Sequence, residues 1–419
     1  MLLHKKCLWL LLLLLYIENF FTHEHFQLGT GVPDFQKLRR WYQVKFTVDQ
    51  QGLTDGVNWV SRSLSTRPIK TELLGIVIDA TGDEVFLSGS DLETSSKAHF
   101  AADIVTKGKV LVPGKLLAEI CRSLPNKPIT IALDGTRVLV TSGAAKFTLP
   151  TLSIDEYPNL PELPEGTGTV ASDTFAQAVA QVAVAAGRDD SLPTLTGVHV
   201  EINEDSVTLA ATDRYRLAVR EFTWQPSQPG VSTTALLRGR TIAEAAKSLI
   251  SAKNVSLSIA PAVNSDRLAG FAGAGKTMTS RMLDGTFPPY RHLLDQNIIS
   301  TAVVEVAPFL DSVRRVALVT DKTVPLRLEF NGTTVSLEAG AGEEAQATEA
   351  IDILLNGEPI SIAFNPTFLT DGLQAVGTPF VQISFTGSNK PAILMGKNEA
   401  TGNVVENYRY LLMPMRYAS

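Results

Sequence analysis

Near its middle the chain reads Val207-Thr-Leu-Ala-Ala-Thr-Asp-Arg-Tyr-Arg-Leu-Ala-Val219. The stretch begins with a pattern typical of a β-strand and ends with another, and a polar, basic segment from Thr212 to Arg216 separates the two. A polar connection between strands is well placed to form a surface feature on a rigid sheet. The stretch therefore predicts either a binding site or a plain turn, and only patterns elsewhere in the chain can distinguish these two interpretations.

The bulk composition predicts a globular protein of several domains. At 419 residues the chain is too long for one ordinary core, and its 44% hydrophobic and 19% charged residues are typical of folded domains. The net charge of −6 argues mildly against indiscriminate binding to nucleic acid, although it allows a locally basic surface. Two cysteines, Cys7 and Cys121, cannot form a disulfide scaffold or a metal cluster alone, which favours a reducing compartment.

Residues 1–43 do not match that composition. They begin with a basic segment and a short apolar run from Cys7 to Ile17, as a signal peptide does. The run is shorter than the roughly 20 residues that a membrane-spanning helix needs, and no cleavage site of small residues follows it. We therefore expect an unstructured extension, or a true start near Val44, in preference to an export signal or a membrane anchor.

From residue 44 onward one order of sequence patterns recurs three times, which indicates an internal repeat. Each unit has two segments in which apolar residues follow helical spacing. These segments are 53–64, 115–124, 173–185, 240–250, 308–318 and 365–376. Strand patterns joined by turn pairs such as Asp134-Gly135 predict antiparallel hairpins around them. The expected fold is α+β, with three similar domains of two helices packed on antiparallel sheets. The expected domains are 44–166, 167–298 and 299–419.

One motif suggests nucleotide binding. The segment from Gly270 to Thr277 reads GFAGAGKT and matches the phosphate-loop pattern G-x-x-x-x-G-K-[ST]. A working phosphate loop needs a buried parallel strand before it and a helix after it. Polar residues precede this segment, and Gly285 and Pro288 follow too soon for a helix of normal length. The glycines are better interpreted as a turn between antiparallel strands, and a P-loop ATPase is the less favoured alternative.

The patterns of the folded part predict neither a catalytic site nor a metal or other cofactor. The histidines show no metal-ligand spacing, and isolated carboxylates such as Asp91 and Glu119 have no identifiable partner. Basic residues, in contrast, fall on or beside the helical segments. They are Arg62, Lys115, Arg122, Arg240, Lys247, Lys253, Arg314 and Arg315. Positive charge gathered on the helical side suits sequence-independent contact with DNA phosphates, while ordinary solvated helix faces are the alternative.

The last segment before the C-terminus is unusually apolar. Residues 407–416 read NYRYLLMPMR, with Met413 and Met415 on either side of a proline. Methionines suit adaptable hydrophobic binding surfaces, whereas a run of this kind could also be the last strand of a sheet. Both interpretations hold if the strand ends at Leu412 and the next residues project beyond it.

Four motifs in this order resemble the bacterial DNA polymerase III β subunit family, the sliding clamps. The motifs are ATDRYRLA at 211–218, DGTFPPYR at 284–291, VPGK at 112–115 with ICR at 120–122, and YLLMPMR at 410–416. The resemblance implies a non-enzymatic, cytoplasmic clamp that forms half of a dimeric, head-to-tail ring. The ring would encircle double-stranded DNA and tether the replicative DNA polymerase, the clamp loader and repair proteins. It implies no membrane partner.

The resemblance also implies three sets of site residues. A pocket for peptides with a glutamine and a hydrophobic pair would consist of Thr212, Arg214, Tyr215, Arg216, Leu217, Pro288, His292, Leu293, Leu412, Met413, Pro414, Met415 and Arg416. The residues expected to face DNA are Arg67, Lys115, Arg122, Arg188, Arg240, Lys247, Arg314 and Arg315; the resemblance supplies Arg67 and Arg188, and Arg62 and Lys253 of the helical set are not among them. Dimer contacts would pair Phe147 and Leu149 of one chain with Leu318 and Val319 of the other.

The repeat sharpens the expectation for the central stretch. Ser90-Asp91 in the first unit and Gly340-Ala341 in the third align with Thr212-Asp213. Asp213 is therefore expected to serve a turn that the repeat uses anyway, and binding is expected at the three residues that follow it, 214–216. Besides the clamp and the ATPase, an exported repeat protein is a third hypothesis.

Overall fold

The computed structural model of the chain describes residues 44–259, 267–319, 324–340 and 345–416. The extension expected at residues 1–43 lies outside them. The described part contains six α-helices, two in each unit. They are α1 (Gln50–Ser61), α2 (Gly114–Ser123), α3 (Ser172–Ala183), α4 (Gly239–Ser248), α5 (Val306–Val316) and α6 (Pro366–Val376).

Within the described ranges each unit also has nine strands. In the first unit these are β1 (Lys45–Val48), β2 (Gly75–Asp79), β3 (Glu84–Ser90), β4 (Thr94–Ala101), β5 (Asp103–Thr106), β6 (Lys109–Pro113), β7 (Ile129–Asp134), β8 (Arg137–Ser142) and β9 (Ala145–Pro150). In the second they are β10 (Gly168–Ala171), β11 (Gly197–Asn203), β12 (Ser206–Thr212), β13 (Arg216–Thr223), β14 (Gln225–Pro226), β15 (Ser232–Arg238), β16 (Asn254–Ile259), β17 (Leu268–Gly273) and β18 (Lys276–Arg281). In the third they are β19 (Ser300–Glu305), β20 (Leu326–Asn331), β21 (Thr334–Ala339), β22 (Ala347–Asp352), β23 (Leu354–Gly357), β24 (Ile360–Phe364), β25 (Phe380–Phe385), β26 (Ala392–Lys397) and β27 (Val404–Leu412).

The three units share one element order, so the expected α+β fold with three repeats is confirmed. The helices pair within each unit, α1 with α2, α3 with α4 and α5 with α6. Helix α1 begins three residues before the expected position, because the Asp49 carboxylate caps it by accepting a 2.7 Å hydrogen bond from the Gly52 N–H. Its apolar stripe, which includes Leu53, Val57 and Val60, is fully buried.

The strands form four antiparallel sheets, and two of these cross from one unit to the next. Their strand orders are β5-β1-β7-β8-β9, β14-β10-β16-β17-β18-β4-β3-β2-β6, β15-β11-β12-β13-β27-β26-β25-β19-β23 and β22-β21-β20-β24. Strand β18 pairs with β4 where the first and second units meet, which we call the first junction. Strand β13 pairs with β27 where the second and third units meet, which we call the second junction.

Helix side chains reinforce both junctions. At the first, the indole Nε1–H of Trp59 on α1 donates to the carbonyl oxygens of Lys97 and Thr277, at 3.0 and 3.2 Å, one from each unit. At the second, Gln181 takes the equivalent position on α3 and donates to the carbonyl oxygen of Ala375 at 2.8 Å. The Tyr408 hydroxyl donates back to the Gln181 carbonyl at 3.1 Å. Backbone pairing and buried polar contacts therefore join the units.

The phosphate-loop match is a hairpin, as expected. Strands β17 and β18 are antiparallel, and Gly273 pairs with Lys276 across two residues with positive φ, Ala274 at 50° and Gly275 at 72°. This is the backbone of a tight hairpin turn, and a strand follows it where a nucleotide site needs a helix. The ATPase alternative therefore lacks its structural requirement.

Within the described ranges no helix is both long and apolar enough to cross a membrane. In the same residues, no group of three or more His, Cys, Asp or Glu side chains is arranged to hold a metal ion.

Candidate functional site

The central stretch forms a tight turn held by its own side chains. The Asp213 carboxylate accepts from the N–H groups of Tyr215 and Arg216 at 3.0 and 3.1 Å. The Thr212 hydroxyl donates to the Arg216 carbonyl at 2.7 Å and accepts from the Arg214 N–H at 3.2 Å. Arg214 itself lies at φ 80°, a left-handed conformation that is uncommon for a residue other than glycine.

The first unit repeats this turn. Asp91 accepts from the N–H groups of Glu93 and Thr94 at 3.0 and 2.7 Å, and the Leu92 N–H donates to the Ser90 hydroxyl at 3.0 Å. Leu92 lies at φ 77°. Asp91 and Asp213 thus hold equivalent turns in the first two units, as expected, whereas the third-unit counterpart, Ala341, lies outside the described residues.

Arg216 fastens the turn of the second unit to helix α6. Its guanidinium forms ion pairs with Asp213 at 2.8 Å and Asp371 at 2.6 Å, and it lies 4.3 Å from the centre of the Phe368 ring. Burial opposes its charge, but Tyr410 and the hydrogen bond to Asp371 raise its pKa above the ordinary value. Only 6% of the side chain is exposed, so Arg216 supports the site from beneath.

A cavity of about 310 Å³ lies between this turn, the segment after α3 and the start of α6. We call it the second-junction cleft. Its lining residues are Ala186, Gly187, Arg188, Asp189, Leu192, Leu195, Asp213, Arg214, Tyr215, Arg216, Thr367, Phe368 and Asp371. Tyr215 is 55% exposed and stacks on Phe368 with ring centres 6.2 Å apart. An exposed aromatic ring beside a concave surface is suited to binding an apolar side chain.

The C-terminal tail lies beside the same turn. Strand β27 ends at Leu412, as expected, and Arg216 pairs with Leu412 in the sheet. The Met413 N–H then donates to the Tyr215 carbonyl at 2.8 Å, and the Met415 N–H donates to the Ala363 carbonyl at 2.8 Å. The tail is therefore held by its backbone, which leaves the Met413 side chain 39% exposed next to Tyr215.

The remaining expected pocket residues differ in exposure. Leu217 is buried and shares an apolar cluster with the half-buried Leu293. Pro288 and His292 are exposed in the same connecting segment. Pro414 is half-buried and Arg416 is exposed at the end of the described chain.

Sequence reasoning missed Leu192, Leu195, Phe368 and Asp371, which line the second-junction cleft. Phe368 and Asp371 are three residues apart on α6, a spacing that places them on one helix face. The sequence contains that spacing, but nothing local indicates that this face meets a turn more than 150 residues earlier in the chain.

The residues expected to face DNA are all exposed: Arg67, Lys115, Arg122, Arg188, Arg240, Lys247, Arg314 and Arg315. Arg188 also lines the second-junction cleft. Arg315 donates from Nε to Glu349 at 3.1 Å, and hydrogen bonds from Arg315 and Ser312 lower the pKa of Glu349. Arg314 lies 3.6 Å from Asp311.

The residues expected at a dimer contact differ in exposure. Leu318 is 83% exposed, whereas Phe147 and Val319 are half-buried against the core of their own units. Leu149 is only 1% exposed and packs within its own unit. Leu318 and part of Phe147 are therefore accessible on the surface of the single chain, whereas Leu149 is not.

Comparison with known proteins agrees with this architecture. Three family descriptions match in order: DNA polymerase III beta subunit, N-terminal domain at residues 44–161, central domain at 169–289 and C-terminal domain at 291–416. The beta sliding clamp of Streptomyces coelicolor is 48% identical over 373 residues, which cover 89% of this chain and 99% of that protein. That of Micrococcus luteus is 45% identical over 312 residues, which cover 74% of this chain and 100% of that protein.

The structural comparison gives the same fold. The crystal structure of the Bacillus subtilis DNA polymerase sliding clamp superposes with a TM-score of 0.81 at 25% identity, covering 90% of this chain and 100% of that one. Fold and sequence together define the class as a three-domain replication clamp, an accessory processivity factor without catalytic activity of its own. The chain belongs to the DNA polymerase III beta subunit family.

The role of Arg216 can be tested by replacing one of its partners. Asp371→Asn should lower the free energy of unfolding by about 1–3 kcal/mol, because a buried guanidinium loses one of two carboxylates whose own exposure is only partial. Urea unfolding measures this. The matched control is Asp311→Asn, which weakens the exposed pair with Arg314 and should change stability by less than about 0.5 kcal/mol. Equal effects of the two variants would show that Asp371 does not hold Arg216.

Proposed function

We propose that two copies of the chain close head to tail into a ring around duplex DNA. The ring tethers the replicative polymerase, the clamp loader and repair proteins through short peptides bound at the second-junction cleft. It works on DNA in the cytoplasm, at the nucleoid. One observation carries the proposal, namely that the two smaller sheets of the described chain have five and four strands, as the two parts of each nine-stranded sheet do.

Each nine-stranded sheet has a five-stranded part from one unit and a four-stranded part from its neighbour. The parts join through equivalent strands: β18 and β27 end the second halves of their units, whereas β4 and β13 lie in the first halves. The five-stranded sheet ends at β9, which is the first-unit equivalent of β18 and β27. The four-stranded sheet ends at β22, which is the third-unit equivalent of β4 and β13. Pairing β9 of one copy with β22 of another would complete a third sheet of the same kind.

The internal junctions also specify a register for this pairing. Met278 faces Ser96 at the first junction and Tyr410 faces Ala218 at the second. The repeat relates these residues to Phe147 on β9 and Ala347 on β22, through hairpins of matching geometry. Met278 and Tyr410 are 2% and 0% exposed, whereas Phe147 is only half-buried in the single chain. A partner strand would bury Phe147 as its two counterparts are buried.

Such a contact joins different surfaces of the two copies. It therefore forms a closed ring only if the rotation that relates one copy to the next returns to the first copy. A dimer with two β9–β22 contacts leaves neither strand as an exposed edge. Proteins generally cover exposed strand edges, because these edges can pair with other chains. Leu318 and Val319 follow α5, and α5 carries Arg315, which contacts Glu349 on β22. The exposed Leu318 therefore lies on the unit that would meet the partner's Phe147.

A closed ring needs little affinity for any one DNA sequence, since topology retains it. Loose contacts between exposed cations and phosphates suffice, and these contacts weaken as salt rises. The exposed Lys115, Arg122 and Lys247 lie on α2 and α4, equivalent helices in two units. In the proposed ring these helices face the central hole.

The DNA-facing assignment predicts a position-dependent effect of charge. Replacing Lys115, Arg122 and Lys247 together by glutamine should weaken DNA binding, and the salt slope should fall by roughly 0.9 for each phosphate that the protein no longer neutralises. The control replaces Lys127, Arg137 and Lys390, which are equally exposed but lie on or beside strands, and so changes net charge by the same amount. Salt titrations with a fluorescent duplex measure both. Identical decreases in affinity would attribute binding to net charge and contradict the assignment.

The proposed register predicts a specific disulfide between copies. Directly opposed residues in antiparallel strands have Cβ atoms about 5 Å apart, a distance that a disulfide can bridge with slight adjustment. The double variant Phe147→Cys with Ala347→Cys should therefore form a covalent dimer on oxidation, visible on a non-reducing gel and reversed by thiol.

The control for this cross-link moves one cysteine along the same strand. In Phe147→Cys with Ala350→Cys the second site lies about 10 Å away and on the opposite sheet face, so little dimer should form. A native-like circular dichroism spectrum establishes that both variants fold. Cross-linking of the control pair alone, or of neither pair, would contradict the register.

The peptide-binding assignment predicts that two exposed side chains dominate affinity. Tyr215→Ala and Met413→Ala should each weaken binding of a fluorescent peptide carrying glutamine and a Leu-Phe pair by at least about tenfold, because each removes an apolar surface at the cleft. Phe86→Ala removes a comparably exposed aromatic ring on β3 and should leave affinity within about twofold. Fluorescence anisotropy measures all three. Weaker binding with Phe86→Ala, or unchanged binding with the other two, would place the peptide elsewhere.

A further inference from the structure

The second helix of every unit carries a carboxylate at the same place. Glu119 on α2, Glu244 on α4 and Asp371 on α6 are each the sixth residue after the N-terminal cap residue of their helix. The cap residues are Pro113, Arg238 and Asn365. Because the three units share one element order, the contacts of these carboxylates can be compared directly.

Two of the three carboxylates pair with an arginine of the preceding unit. Arg62 of the first unit donates from Nη1 to Glu244 at 3.0 Å. Arg216 of the second unit donates from Nη1 to Asp371 at 2.6 Å. Each internal junction therefore combines a pairing of strands with an ion pair between units.

The third carboxylate, Glu119, is exposed. In the part of the chain that the structure describes, its side chain forms no ion pair or hydrogen bond. Leu116, one turn earlier on α2, is 43% exposed, whereas the equivalent Phe368 on α6 lies under the guanidinium of Arg216. This face of α2 thus lacks the preceding unit that covers its counterparts. In the proposed ring, that unit is the third unit of the other copy.

Arg315 occupies the place on α5 from which the other first helices reach the next unit. It is the tenth residue after the N-terminal cap residue of its helix, as are Trp59 on α1 and Gln181 on α3. Trp59 donates to the Thr277 carbonyl of the second unit, and Gln181 donates to the Ala375 carbonyl of the third. Arg315 therefore lies on the helix face that meets a neighbouring unit.

The Arg315 guanidinium has a free donor group. Its Nε and Nη2 donate to groups of its own unit, Glu349 among them, whereas Nη1 makes no hydrogen bond to any described residue. The side chain is 57% exposed. Arg216 shows how such a guanidinium serves two units, because its Nε donates to Asp213 of its own unit and its Nη1 to Asp371 of the next.

The charges around Glu119 are compatible with such a pair. Basic residues flank it on α2, and α4 repeats this arrangement around Glu244. These residues are Lys115 and Arg122 on α2, and Arg240 and Lys247 on α4. Glu244 pairs with Arg62 in the same surroundings, so the flanking cations do not prevent an arginine of the preceding unit from binding.

We propose that Arg315 of one copy donates from Nη1 to Glu119 of the other copy, at both contacts of the ring, while it keeps its bonds to Glu349. A planar guanidinium with several donors suits two carboxylates at once. This inference rests on the proposed ring and deepens it, because it names the charged pair that helps the third unit of one copy recognise the first unit of the other.

Two charge-reversed variants test the pair by complementation. In Glu119→Arg alone, and in Arg315→Glu alone, both contacts of a homodimer oppose like charges, so the dimer dissociation constant should rise at least about tenfold. A dimer of one variant with the other instead has one reversed pair and one original pair. An equimolar mixture should therefore regain a dissociation constant within about threefold of the unaltered protein. Sedimentation equilibrium at low salt measures all of these.

Lys390→Glu is the matched control, since it makes the same change of charge at an exposed residue between β25 and β26 of the third unit. It should leave the dissociation constant within about twofold, and circular dichroism checks that every variant folds. Homodimers of Glu119→Arg and Arg315→Glu as stable as the unaltered dimer would overturn the pair. So would a mixture no more stable than its components, or an equal effect of Lys390→Glu. A monomeric unaltered protein would instead contradict the ring itself, and this pair with it.

Discussion

Antiparallel pairing between equivalent strand edges is the constraint on which the rest of the structure depends. A strand edge exposes backbone N–H and C=O groups that must find partners. Within the chain, β4 provides hydrogen-bond partners for the edge of β18, and β13 does so for β27. Each pairing continues a sheet across two units. Among the strands that end the sheets, β9 and β22 are the repeat equivalents of these paired strands. The two junctions and the proposed ring thus use one type of contact.

The repeat separates structural from functional residues in the turns beside these junctions. Asp91 and Asp213 accept equivalent backbone hydrogen bonds, so neither distinguishes the two turns. The side chains that follow differ, with Tyr215 in the turn of the second unit and Glu93 at the equivalent place in the first. One backbone framework, stabilised in the same way at both junctions, thus presents different side chains.

Much of the fold could be predicted because it is encoded locally. Helical spacing located all six helices to within a few residues, and turn pairs such as Asp134-Gly135 located hairpins whose glycine has positive φ, here 60°. The junctions were not predictable, since no local pattern specifies that β4 pairs with β18. For the site, the central stretch indicated Tyr215, the unusual 407–416 tail indicated Met413, and the resemblance indicated both. Phe368 was missed because its role depends on how α6 packs against a distant turn.

The most direct test of the central claim is the mass and shape of the protein in solution. Light scattering should give twice the chain mass of 45.2 kDa, and negative-stain images should show annular particles. A two-membered ring requires β9 and β22 of each copy to be paired, so Leu318→Asp should reduce the mass to that of one chain, whereas Ile69→Asp, at a comparably exposed apolar residue, should not. A monomeric, non-annular particle from the unaltered protein would contradict the account.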